Sequence, residues 1–195
     1  MRYLLPALAL LVGHAADAAD PPDLSPYPRV RVQTNLGNFE LELDGPRAPI
    51  SVFNFIEYVR QGAYDGAIFH RVIPGFMIQG GGFDADYQKL PARGVIPNES
   101  GNGMRNERGT IAMARINDPH SASRQFFINL ADNPSLDPRT SGWGYAVFGR
   151  VVQGMETVDK IASLPTGPGG PFAGDVPQSA VIIEKMSIVE GAAGS

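Results

Sequence analysis

Thirteen consecutive residues carry the densest chemistry in the chain: Phe69-His70-Arg71-Val72-Ile73-Pro74-Gly75-Phe76-Met77-Ile78-Gln79-Gly80-Gly81. Arg71 and Gln79 are long hydrogen-bonding side chains, interleaved with Phe and Met on two apolar runs that Pro-Gly separates. Two further segments are of the same kind, Gly109-Thr110-Ile111-Ala112-Met113-Ala114-Arg115 and Ser123-Arg124-Gln125-Phe126-Phe127-Ile128-Asn129. On a strand, the adjacent Phe126 and Phe127 must point to opposite faces, so one ring can be core while the other lines a surface groove. These residue types suit hydrogen bonding beside an apolar surface. Taken one at a time they have plainer readings: Arg71 as a solvated or ion-paired residue, Phe76 and Met77 as core.

Other chemistries lack their residues. The chain has no Gly-x-Ser-x-Gly, no His-Glu-x-x-His and no Gly-x-x-x-x-Gly-Lys. It has no cysteine, which excludes disulfides, thiolate metal sites, cysteine nucleophiles and lipid attachment at cysteine. The three histidines are His14, His70 and His120, too few for a three-histidine metal site once the N-terminal segment is set aside. Gly80-Gly81-Gly82 lacks the spacing and the following helix of a phosphate loop and reads as a flexible strand end. No carboxylate pair is marked by spacing as a glycosidase dyad. A formal net charge of -4 argues against nucleic acid as the default partner.

The elements that must position these residues are mostly strands. The 195 residues suit one domain, and 43% hydrophobic against 18% charged is a globular balance. Gly (23) and Pro (17) are scattered as punctuation, which favours a turn-rich β protein. Residues 1–18 read as a secretory signal peptide, with Arg2, an apolar run that starts at Tyr3, and Ala16-Asp17-Ala18 at the end. The run is too short to span a bilayer. Export follows as an expectation, to the periplasm in a Gram-negative source, with no membrane partner after cleavage. Residues 19–28, with four prolines, read as an extended leader. Alternation of Val30, Val32 and Thr34, then Phe39, Leu41 and Leu43, around Asn35-Leu36-Gly37-Asn38 predicts a hairpin. Val52, Phe55, Ile56 and Val59 predict a helix over 49–61, started by Pro49 and stopped by Gly62. Met155, Val158, Ile161 and Ala162 predict a second over 155–163. Strands are expected near 68–72, 76–79, 110–114, 125–129, 147–152 and 181–189. Eight strands without an obvious edge suggest a closed antiparallel barrel with two helices. The long loops 85–109 and 132–144 are of the kind that carries function.

At residues 69–81, at Met113-Ala114 and at Gln125-Phe126-Phe127-Ile128 the sequence closely resembles the cyclophilins. Thr34-x-x-Gly37, Ala48-Pro49, Asn54-Phe55, Tyr64-Asp65-Gly66 and Val147-Phe148-Gly149 support the match, which runs over 29–190 and is most like the bacterial periplasmic branch. The resemblance implies a mainly β fold, a closed eight-stranded antiparallel barrel capped by two α-helices, with residues 191–195 as a tail. It implies peptidyl-prolyl cis-trans isomerase activity on Pro-containing segments of unfolded or folding proteins, without cofactor or metal; a monomer is the expectation, which the sequence does not itself fix. It assigns Arg71 and Gln79 to catalysis, and Phe76, Met77, Ala114, Arg115, Gln125, Phe127, Leu136, Tyr145 and His70 to substrate binding. A Pro-peptide-binding module or a folding chaperone with little isomerase activity are the rival readings. Three positions depart from the best-known pattern: Ser135 replaces a tryptophan that helps hold cyclosporin, Tyr145 a rim histidine, and Arg115 an asparagine. Weak cyclosporin binding is the expectation. Trp143 lies in the nearby loop, with its place open.

Overall fold

A computed structural model describes residues 25–189. The expected signal peptide, most of the leader and the expected tail lie outside the described residues.

The predicted hairpin forms. β1 (Arg29–Thr34) pairs with β2 (Gly37–Leu43), with Val30 opposite Leu41 and Val32 opposite Phe39. Each strand buries every second residue, the signature of a sheet with one face on the core. β3 (Ala67–Ile73) and β4 (Met77–Asp84) follow, then β5 (Thr110–Met113), β6 (Phe126–Asn129) and β7 (Val147–Gln153). β8 (Thr166–Gly169) and β9 (Phe172–Pro177) make a separate two-stranded sheet, and β10 (Ile183–Val189) returns to β1.

The main sheet runs β10-β1-β2-β7-β5-β6-β4-β3. It is an open, strongly curled half-barrel, not the closed barrel expected. Its edges, β3 and β10, form no ladder. They meet through one isolated bridge, Ile68 with Ile182, and two amide bonds, Phe69 to Val181 and Gly66 to Ile183. Ile182 lies just before β10, where the Asn35 side chain ties down the Ile182 amide and the Ala180 carbonyl on the β1 side. The β8–β9 hairpin was not expected at all. Thr-Gly-Pro-Gly and Phe-Ala-Gly-Asp-Val-Pro read as turn residues rather than as strands.

α1 (Pro49–Arg60) and α2 (Met155–Ala162) match the two predicted helices. α1 buries Val52, Phe55, Ile56 and Val59, while Phe53, off that face, is 57% exposed. Its N-terminus lacks a local cap. Glu99, from the long loop, accepts from the Ile50 and Ser51 amides at 3.0 and 2.7 Å and places a negative charge at the positive end of the helix. The core inside the curl is aromatic. Phe55 packs on Tyr64, Phe126 and Phe148 with ring centroids 5.2 to 5.5 Å apart, in the tilted and edge-on geometries that rings prefer.

Candidate active site

The register of the main sheet builds one row of side chains. Arg71 on β3 lies opposite Gln79 on β4, Gln79 opposite Phe127 on β6, and Phe127 opposite Ala112 on β5. Directly opposed residues share a face, so Arg71, Gln79 and Phe127 are neighbours across three strands. The next residues, Val72, Ile78 and Ile128, form the parallel row on the core face. Phe126 accordingly enters the main core, and Phe127 joins a smaller apolar cluster with Met77, Ala112 and Val147.

The loops complete a pocket on that outer row. Ile73-Pro74-Gly75-Phe76 is a turn closed by the Phe76 amide on the Ile73 carbonyl at 3.0 Å. Pro74 suits its second position, and Gly75 takes φ 71 at the third. The turn brings Phe76 over Met77. Leu136 comes from a short 3-10 turn, Pro134–Leu136, and its carbonyl accepts from the Tyr145 amide at 2.8 Å. Tyr145 meets Phe127 edge-on, centroids 5.6 Å apart. Together Arg71, Phe76, Met77, Gln79, Ala114, Arg115, Phe127, Leu136 and Tyr145 line a cavity of about 110 Å³. A second cavity of about 440 Å³ shares Gln79, Ala114 and Arg115 with it and continues past Gln125 to Lys89, Val95 and Ile116.

Of the sequence-assigned residues, nine line the smaller cavity. Gln125 lines the larger one and accepts a hydrogen bond at 3.0 Å from Gln79 Nε2, which fixes the Gln79 amide at the junction. His70 is the exception. It sits between Phe69 and Arg71 on β3, where the register against β4 shifts by one residue. It is 3% exposed, packed against Phe83 and Phe172, with no partner for Nδ1, and lines neither cavity. The structure places it in the aromatic packing with Phe83 and Phe172 rather than in the cavity lining. Burial lowers its pKa to about 4, against a backbone hydrogen bond with Ile68 that raises it, while the Arg71 charge lowers it further.

Other residues matter that composition and spacing did not single out. Asn133 Nδ2 donates to the Phe76 carbonyl at 2.9 Å and to Asn129 Oδ1 at 2.7 Å, tying the Phe76 turn to β6. Asn129 continues to Asn106 Oδ1 at 3.2 Å, and the Asn106 amide donates to Asp137 Oδ1 beside the 3-10 turn. The long loops carried the only signal for this network. The Arg115 guanidinium lies 4.5 Å above the Tyr145 ring and donates to the Gly144 and Trp143 carbonyls. Trp143 does not fill the cavity; its ring is half-exposed against His120, centroids 5.2 Å apart. Arg71 Nε lies 3.4 Å from Asp175 Oδ2, with both side chains a little under half-exposed.

Residues 29–188 match the family described as cyclophilin type peptidyl-prolyl cis-trans isomerase/CLD. Peptidyl-prolyl cis-trans isomerase A of Dickeya dadantii (strain 3937) is 50% identical over 161 residues, 83% of this chain and 84% of that protein. Peptidyl-prolyl cis-trans isomerase B of Escherichia coli (strain K12) is 48% identical over 164 residues, 83% of this chain and 99% of that one. Among solved structures, a Cryptosporidium parvum cyclophilin type peptidyl-prolyl cis-trans isomerase, crystallised in the presence of the dipeptide Ala-Pro, superposes with a TM-score of 0.67. It is 27% identical, and the match covers 83% of this chain and 98% of that chain.

Proposed function

The chain belongs to the cyclophilin-type peptidyl-prolyl cis-trans isomerases, and from that membership we propose how its groove turns an X–Pro bond. The enzyme accelerates rotation about a peptide bond whose uncatalysed barrier is about 18–20 kcal/mol, because the C–N bond has double-bond character. Spontaneous exchange takes roughly tens to hundreds of seconds. A turnover of about 10²–10³ per second needs about 10⁴–10⁵-fold acceleration, or about 5.5–7 kcal/mol. Rotation breaks no covalent bond, so the task is to bind the twisted amide more tightly than either planar isomer.

The proline ring enters the cavity walled by Phe76, Met77, Phe127 and Leu136, which holds one side of the bond. At halfway the proline nitrogen is pyramidal and carries a lone pair. The Arg71 guanidinium, in the lining of that cavity, donates to it. A planar amide nitrogen offers no such lone pair, so this hydrogen bond favours the twisted state alone. One preorganised donor contributes about 3–4 kcal/mol, so Gln79 and the backbone at Ala114 and Arg115 share the work by holding the substrate chain. Flanking residues of that chain lie along the second cavity, with Gln125 fixing Gln79 between the two. The carrying observation is Arg71 and Gln79 side by side in the lining of a small cavity walled by Phe76, Met77, Phe127 and Leu136. NMR exchange on a Pro-containing peptide tests it. Arg71→Ala is expected to lose on the order of a hundred-fold or more in kcat/KM with an unchanged fold, and near-normal exchange would refute the role.

Two further properties belong to this proposal. Ser135 at the cavity rim offers no ring, so cyclosporin binds weakly. Residues 1–18 direct export, supported by their charge and apolar pattern; a secreted form whose mass begins at Ala19 is the matching measurement, and an intact N-terminus contradicts it.

A further inference from the structure

Resting on the reading of Arg71 as the donor to the twisted nitrogen, we propose that Asp175 is the positioning residue for that guanidinium, held in place by the β8–β9 hairpin. The register of the hairpin is uneven. Gly169 pairs with Phe172 and Gly167 with Val176, so residues 173–175 of β9 stand opposite Pro168 alone. A bulge of this kind re-aims a side chain. Asp175 closes it in the left-handed region, at φ 63, one of two non-glycine residues with positive φ among those described. Aspartate tolerates that conformation better than most residues, yet it is adopted only where the surroundings impose it.

The surroundings here are two anchors. Phe172 packs on His70 and, edge-on, on Phe83, with centroids 5.4 and 5.1 Å apart. Val176 is buried immediately after the bulge. Phe172 thereby holds β9 against β3 at His70, next to the residue that carries the guanidinium. The carboxylate then meets Arg71 at Nε, 3.4 Å away. An arginine held at Nε keeps both terminal nitrogens for another acceptor. The bulge thus orients the planar fork without using the donors that face the cavity, and it acts through Arg71 rather than on the substrate.

The test measures kcat and KM separately by NMR exchange on a Pro-containing peptide, for wild type, Asp175→Asn and Asp175→Gly. Both substitutions keep the positive φ and remove the charge. Loss of an exposed charge pair predicts a fall of about five-fold in kcat with KM unchanged. Because the pair is exposed, raising salt to about 1 M should bring wild type toward the variants while leaving the variants unmoved. Wild-type kcat in both variants, a gain in kcat, or a change confined to KM overturns the proposal. The salt series on wild type stands alone should either variant fold poorly, and a flat series overturns the proposal equally. Arg71→Ala, run in parallel, separates the two readings. Its inactivity beside fully active Asp175 variants sinks only the role of Asp175, whereas an active Arg71→Ala sinks both.

Discussion

His70 and Arg71 are adjacent in sequence and face opposite environments. Arg71 is partly exposed and lines the smaller cavity, and His70 sits in an aromatic cluster with an unpartnered Nδ1. The linkage is plain. Folded His70 stays neutral down to about pH 4, while the unfolded chain takes up the proton near pH 6.5. Between those values the unfolded state binds more protons, so stability is full above pH 6.5 and declines as pH falls toward 4, by about 3 kcal/mol in all. His70→Phe keeps the ring packing and removes the titration. Urea midpoints measured from pH 4 to 7 should lose much of their slope in that variant; an unchanged slope would assign acid sensitivity elsewhere. Residue identity alone could not separate the two neighbours. Their type and motif suggested a site for both, and only the register of β3 on β4, which shifts between Phe69 and Arg71 and sets Arg71 opposite Gln79, decides which one faces the groove.

Gly82, deep in β4, shows how an element positions a site. A Cβ there would lie 2.5 Å from Gln125 Cδ and 2.6 Å from its Cγ, so the backbone of β4 passes directly beneath that side chain. The Gly80-Gly81-Gly82 run, which the sequence suggested to be a flexible strand end, is strand interior. Gly82→Ala should push Gln125 aside and release Gln79, lowering kcat/KM roughly ten-fold, about 1.4 kcal/mol. The melting temperature should fall only modestly, because a movable side chain absorbs the clash and overpacking typically costs about 1–3 kcal/mol. A drop in melting temperature with full activity would show that Gln125 is packing alone. Strands and helices with an apolar period were legible because burial of one face is written in that period. β8 and β9 were not, being glycine- and proline-rich and held by Phe172, Val176 and the strand behind them. The closed barrel was over-read for a related reason. A strand count contains nothing about the register at residues 66–69 and 181–183, where the edges meet only in isolated bonds.

Across the whole molecule, the curled sheet separates two kinds of surface. Its inner face is filled by rings that fix the backbone, and its outer row is left open for a chain to lie across. Buried Arg124 helps hold this arrangement. It donates to the Gly81, Pro91 and Ala63 carbonyls, joining β4 to the long loop and to the segment after α1. What the groove binds then depends on its rim more than on its floor. At that rim Ser135 is exposed, and Trp143, the chain's only tryptophan, is turned to His120. The apolar wall on the Leu136 side is therefore low. A large cyclic peptide such as cyclosporin, which needs extended apolar contact, should gain little there, whereas a proline ring needs only the floor. Ser135→Trp should raise that wall. Burial of one indole against the ligand contributes about 1.5–3 kcal/mol, so cyclosporin should inhibit the variant about ten- to hundred-fold more strongly, with peptide isomerisation unchanged within a factor of a few. Inhibition constants for both proteins against one peptide would settle it. Tight inhibition of the wild type would mean that the floor alone holds cyclosporin, and equal weak inhibition of both would mean that Ser135 does not stand where an indole could reach the ligand.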